Sequence, residues 1–274
     1  MQSITRRGFL SAGAVALPLA AEPNKMPAGF QIYPVREALM KDFAGTLKEY
    51  AGFGYRSVEM CSPPGYGAGF APLAKYSAKE MRSIITGAGL RCDSCHYTSR
   101  EFRDSLDERI AFAKELGLKQ MVLSSFGVPK DAKLDAWRKA ADDLNKAGET
   151  ITKAGLVCGF HNHHGEFAEL EGVLIYDELM KRLDPKLVKM QFQVAVVNIG
   201  FQAADYLAKY PGRFCSLHLA DWSAAEKKTV AVGKGVVDWK KLFAAAKKGG
   251  VKNYYVEMNH ELMRDSYPYL RSLK

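Results

Sequence analysis

The chain has 274 residues, of which 47% are hydrophobic and 11% aromatic, an ordinary composition for the packed core of one large domain or two small ones. Its formal net charge is +9, but the Lys and Arg residues are scattered along the sequence, usually among acids or alanines. A nucleic-acid-binding stripe needs clustered cations with interleaved aromatic residues, so we expect no nucleic-acid partner.

The first residues have the pattern of an export signal. The sequence T-R-R-G-F-L at 5–10 is a twin-arginine motif, and the weakly apolar residues 11–19 lead to two alanines at 20 and 21. The apolar stretch is too short to span a bilayer and no later run approaches that length, so we expect no stable membrane anchor. We therefore predict a signal peptide over 1–21, a mature domain over 22–274, and export of the folded protein to the periplasm.

Five cysteines are an odd number for a protein that is predicted to enter an oxidising compartment. Four lie in apolar, strand-like segments, where a free cysteine behaves as a small buried hydrophobe. Cys92 and Cys95 have C-x-x-C spacing, but they lie in a predicted strand instead of at the start of a helix, which disfavours a redox role. We expect neither disulfides nor redox chemistry from these residues.

A short β-rich run, a polar loop and an amphipathic helix recur along the chain. Strands are predicted at 30–35, 56–61, 90–96, 119–125, 156–163, 187–194, 213–219 and 253–258, and helices at 42–53, 77–86, 105–116, 134–154, 173–182, 203–209 and 239–247. Ser77 and Glu80 form a capping box at the start of one helix. Eight strands, seven of them followed by a predicted helix, without a break in composition predict a single (β/α)8 TIM barrel, an α/β fold. A doubly wound sheet is the alternative, but no G-x-G-x-x-G follows the first strand.

Polar side chains end many of the predicted strands. In chain order they are Glu59, His96, His161, His163, Gln193, His218 and Glu257. All six histidines of the chain lie at or just past the end of a predicted strand, and in a barrel these ends form the catalytic face. We therefore expect the histidines to converge on one mouth. Strand alternation puts His161 and His163 on one side of the fifth strand and His164 on the other.

Five segments carry a resemblance to a known family. They are G-Y-R-S-V-E at 54–59, G-F-H-N-H-H-G-E-F at 159–167, K-Y-P-G-R-F with S-L-H-L-A-D-W between 209 and 222, V-G-K-G-V-V-D-W at 232–239 and Y-V-E at 255–257. In this order they resemble the xylose-isomerase-like TIM barrels, often called sugar phosphate isomerase/epimerase. The resemblance spans nearly all of the mature chain. It implies one divalent metal, held by residues from strands five to eight.

The resemblance places the metal ligands at His161, Gln193, His218 and Glu257. His163 stands where some members keep a catalytic histidine, and the reverse assignment of His161 and His163 stays open. Gln193 replaces the usual Asp, so the set carries one negative charge where the usual set carries three. Imidazole-rich ligation favours Mn, Zn, Co or Fe over Mg. The alternative is that Gln193 marks a lost metal site.

The family's chemistry assigns roles to the other polar residues. We predict His163, Glu166 and Glu59 as acid/base groups. The predicted substrate contacts are His96, Trp222, Lys234 and Tyr33. The implied reaction removes a proton next to the carbonyl of a free or keto sugar, as in an isomerase or epimerase, with a small carbohydrate as the partner. The alternatives are a lyase or hydrolase of 3-keto-glycosides and a sugar-binding barrel without catalysis, and the sequence does not indicate an oligomeric state.

Overall fold

The computed structural model describes residues 25–273, and these form a closed barrel of eight parallel strands inside a ring of helices. The strands are β1 (Gly29–Gln31), β2 (Ser57–Cys61), β3 (Arg91–Tyr97), β4 (Gln120–Leu123), β5 (Val157–His161), β6 (Val188–Gln193), β7 (Phe214–Leu219) and β8 (Asn253–Val256). Each strand pairs with the next one along the chain, and β8 pairs with β1. The predicted (β/α)8 barrel is confirmed, whereas the predicted signal peptide over 1–21 lies outside the described residues.

The helices surround the barrel on its outer side. They are α1 (Arg36–Lys41), α2 (Phe43–Phe53), α3 (Ala78–Gly87), α4 (Ser99–Asp104), α5 (Leu106–Leu116), α6 (Leu134–Lys153), α7 (Ile175–Arg182), α8 (Ala203–Lys209), α9 (Trp239–Lys248) and α10 (His260–Ser272). The predicted capping box of Ser77 and Glu80 begins α3, and a second one, Thr98 with Glu101, begins α4. Within residues 25–273, no helix combines the length and the apolar character needed to cross a membrane.

The first strand is shorter than predicted. It ends at Gln31, and Tyr33–Val35 forms a 3-10 turn that leads into α1. Pro34 has no N–H to donate to a neighbouring strand, and the side-chain oxygen of Gln31 accepts the N–H of Tyr33. The chain therefore turns outward here, and this turn brings Tyr33 to the mouth of the barrel.

The interior of the barrel is polar just below its mouth. Gln120 Nε2 donates to Ser94 Oγ at 2.8 Å and to Ser216 Oγ at 3.1 Å. Gln191 Nε2 donates to the same Ser216 Oγ at 2.8 Å, and all four side chains are buried. Hydrogen bonds instead of apolar packing therefore connect β3, β4, β6 and β7 at this level, and they fix the directions of the inward side chains.

The apolar core lies between the strands and the helices. Phe192 of β6 packs against Tyr176 of α7, with ring centroids 5.8 Å apart, and Tyr254 of β8 packs against Phe243 of α9 at 5.3 Å. All five cysteines are free thiols in this structure, and four of them are buried.

A buried carboxylate organises the loop that follows β7. Asp221 is 2% exposed, and its two oxygens accept N–H groups from the backbone of Trp222, Gly233, Gly235 and Val237 and from the indole of Trp239. A Cβ atom on Gly235 would lie 2.2 Å from Asp221 Oδ1, and Gly233 has a φ of +87°, so the chain needs glycine at both positions. The V-G-K-G-V-V-D-W segment is thus a loop wrapped around one carboxylate.

Replacing this carboxylate should loosen the loop. Asp221→Asn replaces an acceptor oxygen with an NH2 group that faces N–H donors, and we expect it to lower the free energy of unfolding by about 2 to 3 kcal/mol. Urea unfolding measures this loss, and amide hydrogen exchange at Gly233 and Gly235 locates it. Asp238→Asn is the matched control, because Asp238 caps α9 by accepting the Lys241 N–H and Asn caps equally well. Equal stability of the two variants would contradict the assignment.

Candidate active site

Three buried histidines converge at the carboxyl ends of alternate strands. His96 lies on β3, His161 ends β5 and His218 lies on β7, and one ring atom of each lies within 4.8 Å of the others. The ring centroids of His161 and His218 are 4.3 Å apart, and His96 lies 5.1 Å from each. Alternate strands of a barrel contribute side chains to one interior layer, which explains the convergence. We call these residues the histidine triad.

His218 carries a positive charge between two carboxylates. Its Nε2 donates to Glu59 Oε2, and its Nδ1 donates to Glu257 Oε2 at 2.9 Å. Burial lowers the pKa of His218, but Glu257 and Glu59 outweigh burial and raise this pKa to about 10. Burial raises the pKa of Glu257, but His218 outweighs it and lowers this pKa to about 2. At neutral pH the group is therefore an imidazolium held by two carboxylates.

Glu59 lies beneath the triad and does not reach the mouth. It is fully buried, and its Oε1 accepts hydrogen bonds from Ser94 Oγ at 2.5 Å and from Gln191 Nε2 at 2.7 Å. Burial raises the pKa of Glu59, but the neighbouring His96 and His218 outweigh burial and lower it. Both oxygens are occupied, so the expectation that Glu59 is an acid/base group is corrected: the carboxylate positions His218.

Gln191 orients the second member of the triad. Its side-chain oxygen accepts the Nε2–H of His96 at 2.6 Å, while its nitrogen donates to Glu59 and Ser216. Since the amide nitrogen has two acceptors, the network assigns the proton of His96 to Nε2 and leaves Nδ1 with a lone pair. Burial lowers the pKa of His96, so this ring is neutral at neutral pH.

His161 has a buried ring nitrogen that no described residue satisfies. Its Nδ1 has no hydrogen-bond partner among residues 25–273, although the side chain is only 1% exposed. Burial lowers the pKa of His161 well below its ordinary value, so the ring is neutral. A buried polar atom without a partner costs about 1 to 3 kcal/mol, and a bound ligand would remove this cost.

His163 stands above His161, on the same side of the chain as alternation predicts. The two ring centroids are 4.8 Å apart and the ring planes lie at 88°. The residue is exposed at the mouth, and burial of part of the ring lowers the pKa of His163. Glu166, a predicted acid/base group, is buried, and its Oε2 accepts the backbone N–H of His163 at 2.7 Å. In this structure Glu166 therefore holds the backbone of His163 in place.

A cavity of about 220 Å³ opens above the triad. Its lining residues are Tyr33, Tyr66, His96, Ser124, Ser125, His161, His163 and Glu257. Among residues 25–273, no Lys or Arg contributes to this lining, and Glu257 is its single carboxylate. The rings of Tyr33 and Tyr66 form an edge-on pair with centroids 6.0 Å apart, and such an aromatic wall suits the apolar face of a sugar ring. The structure therefore places the predicted substrate contacts Tyr33 and His96 in the same cavity.

Gln193, a predicted metal ligand, does not join the triad. Its Nε2 donates to Glu257 Oε2 at 2.6 Å, and its Oε1 accepts the backbone N–H of Ala195 at 3.2 Å. The oxygen is the atom with which an amide binds a metal, and here it is committed to the turn after β6. Gln193 supports Glu257, and His96 takes the third position beside His161 and His218.

The structure leaves several predicted residues outside the cavity. Trp222 lies in a two-stranded ribbon, Asp221–Ser223 with Lys228–Val230, and Lys234 is exposed in the loop that follows. His164 points away from the cavity, and its Nε2 lies 2.8 Å from Asn198 Oδ1. His260 begins α10, and its Nδ1 lies 3.3 Å from the hydroxyl oxygen of Tyr50. His164 thus points outward, as strand alternation predicts, whereas the expectation of convergence is wrong for His260, which follows its strand by four residues.

Sequence reasoning missed Gln191, Tyr66, Ser124 and Ser125. Gln191 precedes Gln193 by two residues, so alternation alone places both on the inner face of β6. Ser124 and Ser125 directly follow β4, and Tyr66 lies in the loop after β2. Uncharged side chains near strand ends carry a weaker chemical signal in the sequence than histidines and acids, although they occupy the same face.

The triad has the donor chemistry of a divalent metal site. It offers the unpartnered Nδ1 of His161, a neutral His96 and a third imidazole within 4.8 Å, and neutral imidazole is the common metal ligand among side chains. His218 would have to release one of its two N–H protons, which is the usual proton release on metal binding. Glu59 and Glu257 supply negative charge beside it, so the residues present fit a metal ion.

Comparisons with known proteins agree with this barrel. A sugar phosphate isomerase/epimerase from Parabacteroides distasonis superposes with a TM-score of 0.76 at 25% identity, over 96% of this chain and 98% of that one. A 3-keto-D-glucoside 4-epimerase from E. coli superposes with a TM-score of 0.63 over 90% of this chain and 100% of that one, and its 18% identity shows a shared fold alone.

The curated relatives match a shorter part of the chain. An inosose dehydratase from Clostridium beijerinckii is 28% identical over 145 residues, which are 47% of this chain and 48% of that protein, so the match spans about half of the relative's length. The family model described as Xylose isomerase-like TIM barrel, in contrast, matches residues 47–273. Because this match covers most of the chain, the protein belongs to the xylose isomerase-like TIM barrel family.

Proposed function

We propose that this protein is a metal-dependent isomerase or epimerase that moves a proton next to the carbonyl of an unphosphorylated sugar. The observation that carries the proposal is the buried histidine triad, with its unpartnered nitrogen, directly below a cavity of about 220 Å³. Pockets for drug-sized ligands begin near 300 Å³, so this cavity suits a single small ring. Membership of the xylose isomerase-like family supports a small carbohydrate as the substrate.

His96, His161 and His218 would hold the metal, and Glu257 remains a further candidate because it lines the cavity beside His218. A metal bound there would polarise the sugar carbonyl and stabilise the negative charge that develops on its oxygen. The imidazole donors favour Mn, Zn, Co or Fe over Mg.

His163 is the acid/base group that the geometry favours. Its ring is exposed to the cavity, it is neutral at neutral pH, and Glu166 fixes its backbone. A neutral imidazole can take the proton from the carbon next to the carbonyl. The same ring returns the proton to the neighbouring carbon in an isomerisation, whereas an epimerisation needs a second donor on the opposite face of the sugar.

The lining of the cavity favours a substrate without a phosphate group. Arg and Lys are the side chains that usually bind phosphate esters, and within the described part of the chain none of them contributes to the lining. Ser124, Ser125 and the two tyrosines offer hydroxyl groups and aromatic faces, which match the hydroxyl groups and C–H face of a sugar. Trp222 and Lys234 stay predicted contacts from the loop after β7.

Elimination from a keto sugar is the second candidate. The inosose dehydratase from Clostridium beijerinckii carries this type of reaction in its name, and it is related to about half of this chain. Both reactions begin with loss of a proton next to a carbonyl, so the same residues would serve either. In an elimination the electron pair then expels a neighbouring hydroxyl or glycosidic oxygen, which requires an acid to protonate the leaving group.

Proton exchange tests the proposed reaction. In D2O with added Mn²⁺, we expect deuterium to enter next to the carbonyl of ketoses or 3-keto-glycosides, and not of their phosphate esters. His163→Ala should slow this exchange roughly 10²- to 10⁴-fold, because it removes the acid/base group. His164→Ala is the control, since that ring faces Asn198 outside the cavity. Absence of exchange with every sugar, together with ligand-induced stabilisation that His163→Ala does not change, would indicate a sugar-binding barrel without catalysis.

Metal content provides a readout that does not depend on activity. Protein purified without chelator should contain close to one first-row metal ion per chain, and His161→Ala should lower this content at least tenfold because a direct ligand is lost. His164→Ala should leave the metal content unchanged. Elemental analysis decides the point, and wild-type protein without stoichiometric metal, even after incubation with Mn²⁺, Zn²⁺ or Co²⁺, would reject the metal site.

We propose the periplasm as the location, on the basis of the twin-arginine pattern at residues 5–10. In a bacterial host with the twin-arginine translocase, the full chain should appear in the periplasmic fraction with residues 1–21 removed. The Arg6→Lys/Arg7→Lys variant should stay in the cytoplasm with its full mass. Export of this variant at the wild-type level would argue against the twin-arginine route.

A further inference from the structure

Lysines that are scattered in the sequence gather at one end of the folded barrel. In a parallel barrel, the residues that end each helix and precede each strand all lie at the end opposite the mouth. We call this end the basal face. Six exposed lysines lie there: Lys119, Lys153, Lys186, Lys247, Lys248 and Lys252. They come from the connections before β4, β5, β6 and β8, so they extend around the barrel instead of forming one short run.

The charge of these lysines is not compensated within the fold. The lysine ion pairs among residues 25–273 involve other lysines, and none of the six belongs to them. The acids nearby are already engaged: Asp93 pairs with Arg91 at 2.8 Å and Glu115 pairs with Lys79 at 3.5 Å. Asp184 accepts the backbone N–H of Lys186 at 2.7 Å and keeps its charge, so Asp184 and the exposed Glu149 of α6 are the nearby acids that form no ion pair among residues 25–273.

The opposite end of the barrel has a different charge pattern. Around the mouth, exposed Lys130 and Lys133 flank Asp131, and Lys227 lies beside the ion pair of Glu226 with Lys228. Cations near helix carboxyl ends are favourable in any protein because of the helix dipole, which accounts for Lys153, Lys247 and Lys248. It does not account for Lys119, Lys186 and Lys252, which lie beyond the helix ends.

We propose that the basal face binds the surface of an anionic phospholipid bilayer and leaves the mouth open to solution. Charge complementarity provides the attraction. The six lysines come from the connections before β4, β5, β6 and β8, and this spread over one end of the barrel suits an extended planar surface better than a single strand of a soluble polyanion. Binding of this kind is reversible and needs no membrane-spanning helix. It does not depend on the proposed function.

Co-sedimentation with vesicles tests the proposal on the full chain. We expect binding to phosphatidylcholine vesicles that contain phosphatidylglycerol, much weaker binding to phosphatidylcholine alone, and loss of the difference at 1 M salt, where screening shortens the range of the attraction. Each lysine close to an anionic surface contributes roughly fivefold in affinity. The Lys247→Gln/Lys248→Gln/Lys252→Gln variant should therefore bind about 100-fold more weakly.

A control variant separates the basal face from net charge. Lys130→Gln/Lys133→Gln/Lys227→Gln removes the same charge from the mouth end and should bind like the wild type. The three positions changed in each variant are exposed, and circular dichroism checks that both variants fold. The proposal is overturned if lipid charge makes no difference, if both variants weaken equally, or if heparin binds the basal face more tightly than the vesicles and displaces the protein from them, since the partner would then be a soluble polyanion.

Discussion

A buried imidazolium held between two carboxylates is the constraint on which the site depends. His218 is 0% exposed, and removing a charge from water is costly unless both ring N–H groups find anionic partners. Glu59 of β2 and Glu257, which directly follows β8, provide them from either side of the barrel closure. Ser94 and Gln191 donate to the other oxygen of Glu59, and Gln193 donates to the Glu257 oxygen that His218 also contacts. The positions of strands that are distant in sequence are therefore fixed by one charge.

The barrel separates a fixed lower layer from an open upper one. Below, the inward side chains of β2, β3, β6 and β7 are buried and hydrogen-bonded to one another. Above, His163 and Tyr33 are exposed on short turns that Glu166 and Gln31 hold through backbone N–H groups. Such an arrangement suits the proposed proton transfer, because the groups that hold charge stay fixed while those that would meet a substrate remain accessible.

Sequence reasoning reached the fold because parallel strands and helices leave strong periodic signals. The boundaries of the predicted elements, apart from the first strand, agree within two residues, whereas α1, α4 and α10 were not predicted. It also reached His96, His161, His163, His218 and Glu257, since strand ends meet at one mouth. Sequence reasoning could not tell that Glu59 lies below the mouth instead of in it, because the depth of a side chain in the barrel depends on the stagger between neighbouring strands. The clustering of the lysines was equally hidden, since neighbours on the basal face are tens of residues apart in the chain.

The amide of Gln191 has a consequence for how this site can change during evolution. It touches His96, Glu59 and Ser216, which belong to three other strands, and uses both its donor and its acceptor atoms to do so. A substitution at one of these positions changes the hydrogen bonding of the others, so their effects on stability are not additive. We expect these positions to covary among homologues, and a residue tolerated at 191 in one relative to be rejected when it is transplanted alone into another.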